Sequence, residues 1–203
     1  MSAAFEVTIM CSEIISFNVI KNALNNYKFE INEIEVIDDW QYNNQKKMQK
    51  ALFFEIDELI NNNKIVLIGG TLNCIHNCGI TAFMHESGAY CVTFWFSTKE
   101  MKSLDCDFIS SENVEIYDNL TKIIIETVDY NKLIFCGIGP ELFMPNCIYI
   151  SDVILNSKNV CRWIISNSKK INLPNSYKKD IHNQFLVYSI FEGSIPKCIK
   201  QKQ

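Results

Sequence analysis

Apolar and polar positions divide this chain into short alternating stretches and longer stripes of helical period. Phe5 to Met10 alternates with period two, as a half-buried strand does, and Ser12 is placed to cap a helix after it. Ile14, Phe17, Ile20, Leu24 and Tyr27 then recur at steps of three and four, which predicts a helix with one buried side. Phe29, Ile31, Ile34 and Val36 predict a second strand that ends at Asp38-Asp39-Trp40. Met48, Ala51, Leu52, Ile56, Leu59 and Ile60 form the cleanest helical stripe of the chain. Lys64 to Ile68 reads as a short buried strand closed by Gly69-Gly70.

Residues 80–85 and 90–96 flank Glu86-Ser87-Gly88-Ala89 and predict a hairpin. Its second arm puts Tyr90, Val92, Phe94 and Phe96 on one face and Cys91, Thr93 and Trp95 on the other, the mark of a central strand. Ser111, Glu112 and Glu115 start a third helix whose stripe is Val114, Tyr117, Leu120, Ile124 and Val128. Lys132 to Cys136 is a further strand, stopped by Gly137-Ile138-Gly139-Pro140. Beyond it the signal fades: Ser151-Asp152 suits a helix cap, and 160–165 and 185–191 suit strands. The expected fold is therefore α+β, a single domain over 1–203 with 145–203 as a weaker C-terminal extension. A central mixed sheet with the aromatic hairpin at its middle carries three main helices, 14–27, 48–60 and 114–128.

Composition sharpens this picture. A hydrophobic fraction of 48% with 21% charged residues is that of a folded globule, which excludes disorder and fibrous repeats. Eighteen lysines stand beside one arginine, Arg162, with many Asn and Ile, the residues that AT-rich codons supply; a bacterial chain from an AT-rich genome is the reading. The opening Met-Ser-Ala-Ala-Phe-Glu-Val has no basic run, and no apolar run approaches the ~18 residues that cross a bilayer. No membrane association and a cytoplasmic location are expected. The nine cysteines are odd in number and several lie in apolar runs, so they read as reduced packing residues, with Cys74 and Cys78 the exposed exceptions.

Charge is unevenly placed. Residues 1–129 carry 19 acidic and 9 basic side chains, whereas 130–203 carry 4 acidic and 10 basic. Two halves that neutralise each other are the plainer account, and an acidic face offered to a basic partner is the sharper one. The C-terminal lysines (169, 170, 178, 179, 197, 200 and 202) have only Tyr177 and Tyr188 near them as stacking aromatics, so nucleic acid is not the expected partner.

Four constellations could carry chemistry. Cys74, His76 and Cys78, with His85 and Cys91 near, are soft metal ligands, but single-residue spacing spreads them along a strand instead of closing a zinc site. Gly137-Ile-Gly139 follows a strand like a phosphate-cradling turn, yet Leu142 stands where the dinucleotide fingerprint wants glycine. Asp105, Asp107, Glu112, Glu115 and Asp118 form the densest acidic stretch, a solvated helix start, a partner-binding face or carboxylates for acid–base or metal work. Arg162 beside Trp163 suits a buried carboxylate pair, cation–π stacking or a ligand.

No catalytic or cofactor motif is present. The expected function is a protein-binding module that meets a basic protein partner through Asp38, Asp39, Trp40, Asp105, Asp107, Glu112 and Glu115, as an immunity-type protein neutralises a toxin. The alternative is an enzyme for a small phosphorylated substrate or a divalent metal, with the Gly137–Gly139 turn as its anion cradle and carboxylates of the 105–118 region as acid, base or metal ligands.

Overall fold

The computed structural model describes residues 4–48, 55–72, 76–98, 107–142, 149–169 and 171–194. Among these described residues ten strands form one sheet: β1 (Ala4–Cys11), β2 (Phe29–Ile37), β3 (Lys46–Lys47), β4 (Ile65–Leu72), β5 (His76–Met84), β6 (Tyr90–Ser97), β7 (Leu133–Pro140), β8 (Arg162–Ser166), β9 (Lys178–His182) and β10 (Phe185–Ser189). Four helices among them join the strands: α1 (Phe17–Asn25), α2 (Ile56–Asn61), α3 (Val114–Thr127) and α4 (Ile150–Asn156). The strand order is β3-β2-β4-β5-β6-β1-β7-β8-β10-β9.

The α+β class is as expected, but the sheet is not mixed. Every pairing between its strands is antiparallel. The connection that holds α1 carries the chain four places along the sheet, and the one that holds α3 passes over β1 alone; neither makes parallel neighbours. The first strand lies inside: Val7 faces Phe94 of β6 on one side and Ile138 of β7 on the other.

Alternation along the strands separates two faces. On the inner face Phe5, Val7, Phe29, Ile34, Val66, Ile68, Ile80, Val92, Ile138 and Ile164 pack under Phe17 and Leu24 of α1, Ile56 and Ile60 of α2, and Tyr117 and Ile124 of α3. The three expected helices thus share one face. On the outer face Met10, Cys91, Phe135, Trp163, Ile165 and Leu186 pack with Val153 of α4. At roughly 1.5–3 kcal/mol for each large apolar side chain fully buried, these two layers supply the main stabilisation.

Local boundaries differ from expectation for identifiable reasons. Helix α1 starts at Phe17, because its cap comes from another helix: Asp57 of α2 accepts the Phe17 N–H at 2.8 Å and the Ser16 hydroxyl at 2.7 Å. Ser12 instead bonds the carbonyl of Lys132. Met48 is not helical; its N–H bonds the Ile34 carbonyl at 2.9 Å and so continues the β2–β3 pairing. Ala51 and Leu52 lie outside the described residues. Gly69-Gly70 and Gly137–Gly139 do not end their strands, which run on to Leu72 and Pro140. Glycine at these positions answers a close approach: a Cβ on Gly139 would collide with the Asn159 carbonyl, and one on Gly70 would stand 2.9 Å from the Phe29 ring.

The described cysteines bear on the redox reading. Cys11, Cys78, Cys91, Cys136 and Cys161 are all buried thiols. Cys78 was expected at the surface, but its side chain falls on the inner face beside Ile80 and is 1% exposed. Cys74 lies outside the described residues. Burial pushes the thiols of Cys11 and Cys91 up to about 12 and that of Cys78 to about 11, and raises Cys136 likewise. A thiol-specific reagent at pH 8 should therefore label these five only as fast as the whole protein unfolds. Labelling of Cys78 at the rate of a free thiol would show that the strand pair β4–β5 opens on its own.

Candidate functional site

Strand β2 leaves the sheet at Ile37 and turns through 38–45 into the edge strand β3. Side-chain hydrogen bonds hold that turn. Asp38 accepts from the Lys64 ammonium and the Asn44 amide, each at 2.8 Å. Asp39 accepts from the Gln41 N–H and the Asn43 amide, each at 2.8 Å. Main-chain bonds from the Tyr42 N–H to the Asp39 carbonyl and from the Asp38 N–H to the Asn43 carbonyl close it. Under this bracing Tyr42 takes a φ of 60° and Asn44 one of 51°, the left-handed region that a bulky residue such as tyrosine adopts rarely.

The turn displays two large aromatic side chains. Trp40 is 55% exposed and Tyr42 54%. One edge of the Trp40 indole meets the ring of Phe83 at right angles, with centroids 5.1 Å apart, which fixes the tryptophan without covering it. The two acids expected to contact a partner are thus also the braces of the turn. Their hydrogen bonds to Lys64 and Asn43 hold both carboxyls below the usual aspartate range, so they stay charged.

The other expected contacts lie elsewhere. Asp107, Glu112 and Glu115 are exposed along the segment that leads into α3. Asp105 lies outside the described residues. Ile109 bridges to Phe191, just past the end of β10, which puts this acidic segment at the opposite end of the strands from Asp38. Strands β2 and β10 are seven steps apart in the sheet, roughly 34 Å at ~4.8 Å per step. The seven residues therefore form two separate surfaces, one aromatic and braced, the other acidic and helical.

The remaining motifs find structural places. Gly137 and Gly139 lie inside β7 between β1 and β8, so no anion-cradling turn forms there. Among the described residues no group of three His, Cys, Asp or Glu could hold a metal ion. Lys169 donates to the carbonyls of Leu133 and Ile134, while Lys178 and Lys179 lie over the rings of Phe191 and Tyr188. Arg162 is 3% exposed and bonds Asp118, Thr121 and Ser189, so its expected carboxylate partner is found on α3.

Sequence reasoning missed Tyr42 and Glu6. The signal for Tyr42 was its spacing of two from Trp40 between polar turn residues. Glu6 is on the central strand, opposite Trp95 and Gly139, and burial raises its carboxyl above the usual range. Nothing in the strand pattern separates it from any outward-facing polar residue.

No family model, curated protein or solved structure matches the chain. Among the described residues no helix is long and apolar enough to cross a membrane.

The bracing of the turn has a defined pH dependence. Both aspartates are more acidic in the folded turn than in an unfolded chain, so their contribution is complete above the ordinary aspartate pKa of about 3.9 and is lost as pH falls through the lower folded values. The indole N–H resonance of Trp40 should hold its position from pH 7 to about 5 and move only below the ordinary aspartate range. A shift centred above pH 5 would contradict the bracing.

Proposed function

We propose that this chain is a protein-binding module whose partner docks on the 38–45 turn, with Trp40 as anchor and Tyr42 beside it. The observation that carries this reading is the pair of aromatic side chains, each more than half exposed, on a turn already locked by Asp38 and Asp39. Tryptophan and tyrosine dominate binding hot spots because they bury a large area with few rotatable bonds. A pre-locked turn spares the ordering cost of association, so more of the contact energy becomes affinity.

Charge favours a partner with a basic surface. Asp38 and Asp39 remain ionised, and residues 1–129 carry the acidic excess of the chain. The acidic approach to α3, with Asp107, Glu112 and Glu115, would act on such a partner at a distance by steering it, since it lies too far from Trp40 to share one compact contact. An immunity-type role fits this combination: a cytoplasmic bacterial protein that covers the basic working surface of a toxin. The enzyme alternative joined an anion cradle at Gly137–Gly139 to carboxylates of the 105–118 region; the glycines are strand, so that cradle does not support it.

The test is calorimetry with the product of a toxin gene adjacent to the gene for this chain. Trp40→Ala should weaken binding about thirtyfold, the size of a hot-spot loss of ~2 kcal/mol, and leave the melting temperature within a few degrees. Affinity unchanged by Trp40→Ala, or absence of binding to that product, would overturn the reading.

A further inference from the structure

A groove of about 710 Å3 runs between α3 and the β9–β10 hairpin, on the inner face and at the far end of the sheet from Trp40. Its volume lies within the ~300–1,000 Å3 range of small-molecule sites. Arg162 forms part of its floor, with Val187 and Phe191 beside it and Asp118, Lys122 and Ile125 of α3 above.

The arginine is only partly used. Its Nε donates to Ser189 Oγ at 2.8 Å, and Nη1 donates to Asp118 Oδ1 and Thr121 Oγ1, each at 2.8 Å. The guanidinium also lies over the Tyr117 ring, 5.6 Å from its centroid. Nε and Nη1 have then given all their protons. Nη2 makes no hydrogen bond among the described residues, and the Ser189 hydroxyl proton has no acceptor there either. Ser189 is 1% exposed and Arg162 3%. Nη2 lies on the same edge of the guanidinium as Nε, which Ser189 holds from below, so one unspent cationic donor is left at the groove floor.

The rest of the lining selects among ligands that carry an acceptor. Thr121 has no proton left for a ligand, because it donates to the Tyr117 carbonyl at 2.7 Å while accepting from Arg162. Asp118 spends one oxygen on Nη1; its side chain is 63% exposed and its Oδ2 makes no hydrogen bond among the described residues. Asp180 and Glu126 add negative charge against Lys122, with His182 at the rim. A simple anion such as phosphate would meet three carboxylates. A ligand with a carboxylate and an ammonium a few ångströms apart meets complementary groups instead: Arg162 Nη2 for the first, Asp118 Oδ2 for the second. Val187, Phe191 and Ile125 offer apolar surface beside them.

We propose that this groove binds a small zwitterion, an α-amino acid with an apolar side chain, through Arg162 and Asp118, with Ser189 as the positioning residue that holds the guanidinium. The proposal is independent of the protein-docking reading, since none of these residues is near Trp40.

The experiment is calorimetric titration of the full chain with phenylalanine and leucine, set against phenethylamine, 3-phenylpropionate and inorganic phosphate. Saturable binding of phenylalanine or leucine is expected, with the amine and the acid at least tenfold weaker and phosphate silent. Asp118→Asn and Ser189→Ala should each weaken amino-acid binding about tenfold while the far-ultraviolet spectrum stays that of the parent. Arg162→Lys keeps the charge but lacks the planar fork, and should abolish binding; because that site is buried, the two milder variants keep the outcome readable if it unfolds. No saturable binding of either amino acid, binding of 3-phenylpropionate or phosphate as tight as that of phenylalanine, or full affinity in folded Asp118→Asn would each overturn the proposal.

Discussion

Strand β1 is the constraint on which the rest of this structure depends. It is the link between two half-sheets: β6 and the strands beyond it pair on one side, β7 and the strands beyond it on the other. Phe5 faces Phe96 across one seam and Pro140 across the other, so both seams join residues far apart in the chain. The seam is packed as well as hydrogen-bonded. The Phe5 ring lies 4.9 Å from that of Phe96 and 5.1 Å from Tyr117 of α3, which ties the helix layer to the same residue. On the other face Thr8 and Thr93 share a hydrogen bond at 3.1 Å. Such pairings require long loops to close before they are rewarded, so folding should be slow for a chain of this size.

A sheet this wide needs its edges protected. The outermost strands, β3 and β9, are short and exposed, and each contains a lysine pair: Lys46-Lys47 at one edge and Lys178-Lys179 at the other. Charges there discourage pairing with another sheet. Between the edges the sheet acts as a rigid spacer. The braced aromatic turn stands at one corner and the Arg162 groove near the opposite one, so a protein on the first and a small molecule in the second would not compete for space.

What could be read from the sequence was the part set by local periodicity. The stripes of α1 and α3, the β5–β6 hairpin and β2 all follow from apolar spacing, because their inward residues are set by neighbours three, four or two positions away. Three features escaped for physical reasons. The antiparallel arrangement depends on where β1 inserts, and nothing local to residues 4–11 encodes that. Strand β9, Lys-Lys-Asp-Ile-His, is exposed at every position, so it has no pattern to detect. The glycine pairs read as stops because their closeness to Phe29 and Asn159 is a tertiary fact. Of the candidate site, the Asp38-Asp39-Trp40 run was visible as composition. Its bracing needed Lys64 and Asn43–Asn44 in place, and its separation from Glu112 and Glu115 needed the strand order.

The central claim, that β1 makes one cooperative unit of two half-sheets, is tested most directly by native-state hydrogen exchange in increasing denaturant, read by mass spectrometry. The account predicts that peptides covering 4–11, 90–97 and 133–140 exchange slowest. Peptides from 65–72 and 185–189, on opposite sides of β1, should merge with them in the same global opening. Loss of protection in β7, β8 and β10 at denaturant concentrations where β2, β4, β5 and β6 remain protected would contradict it.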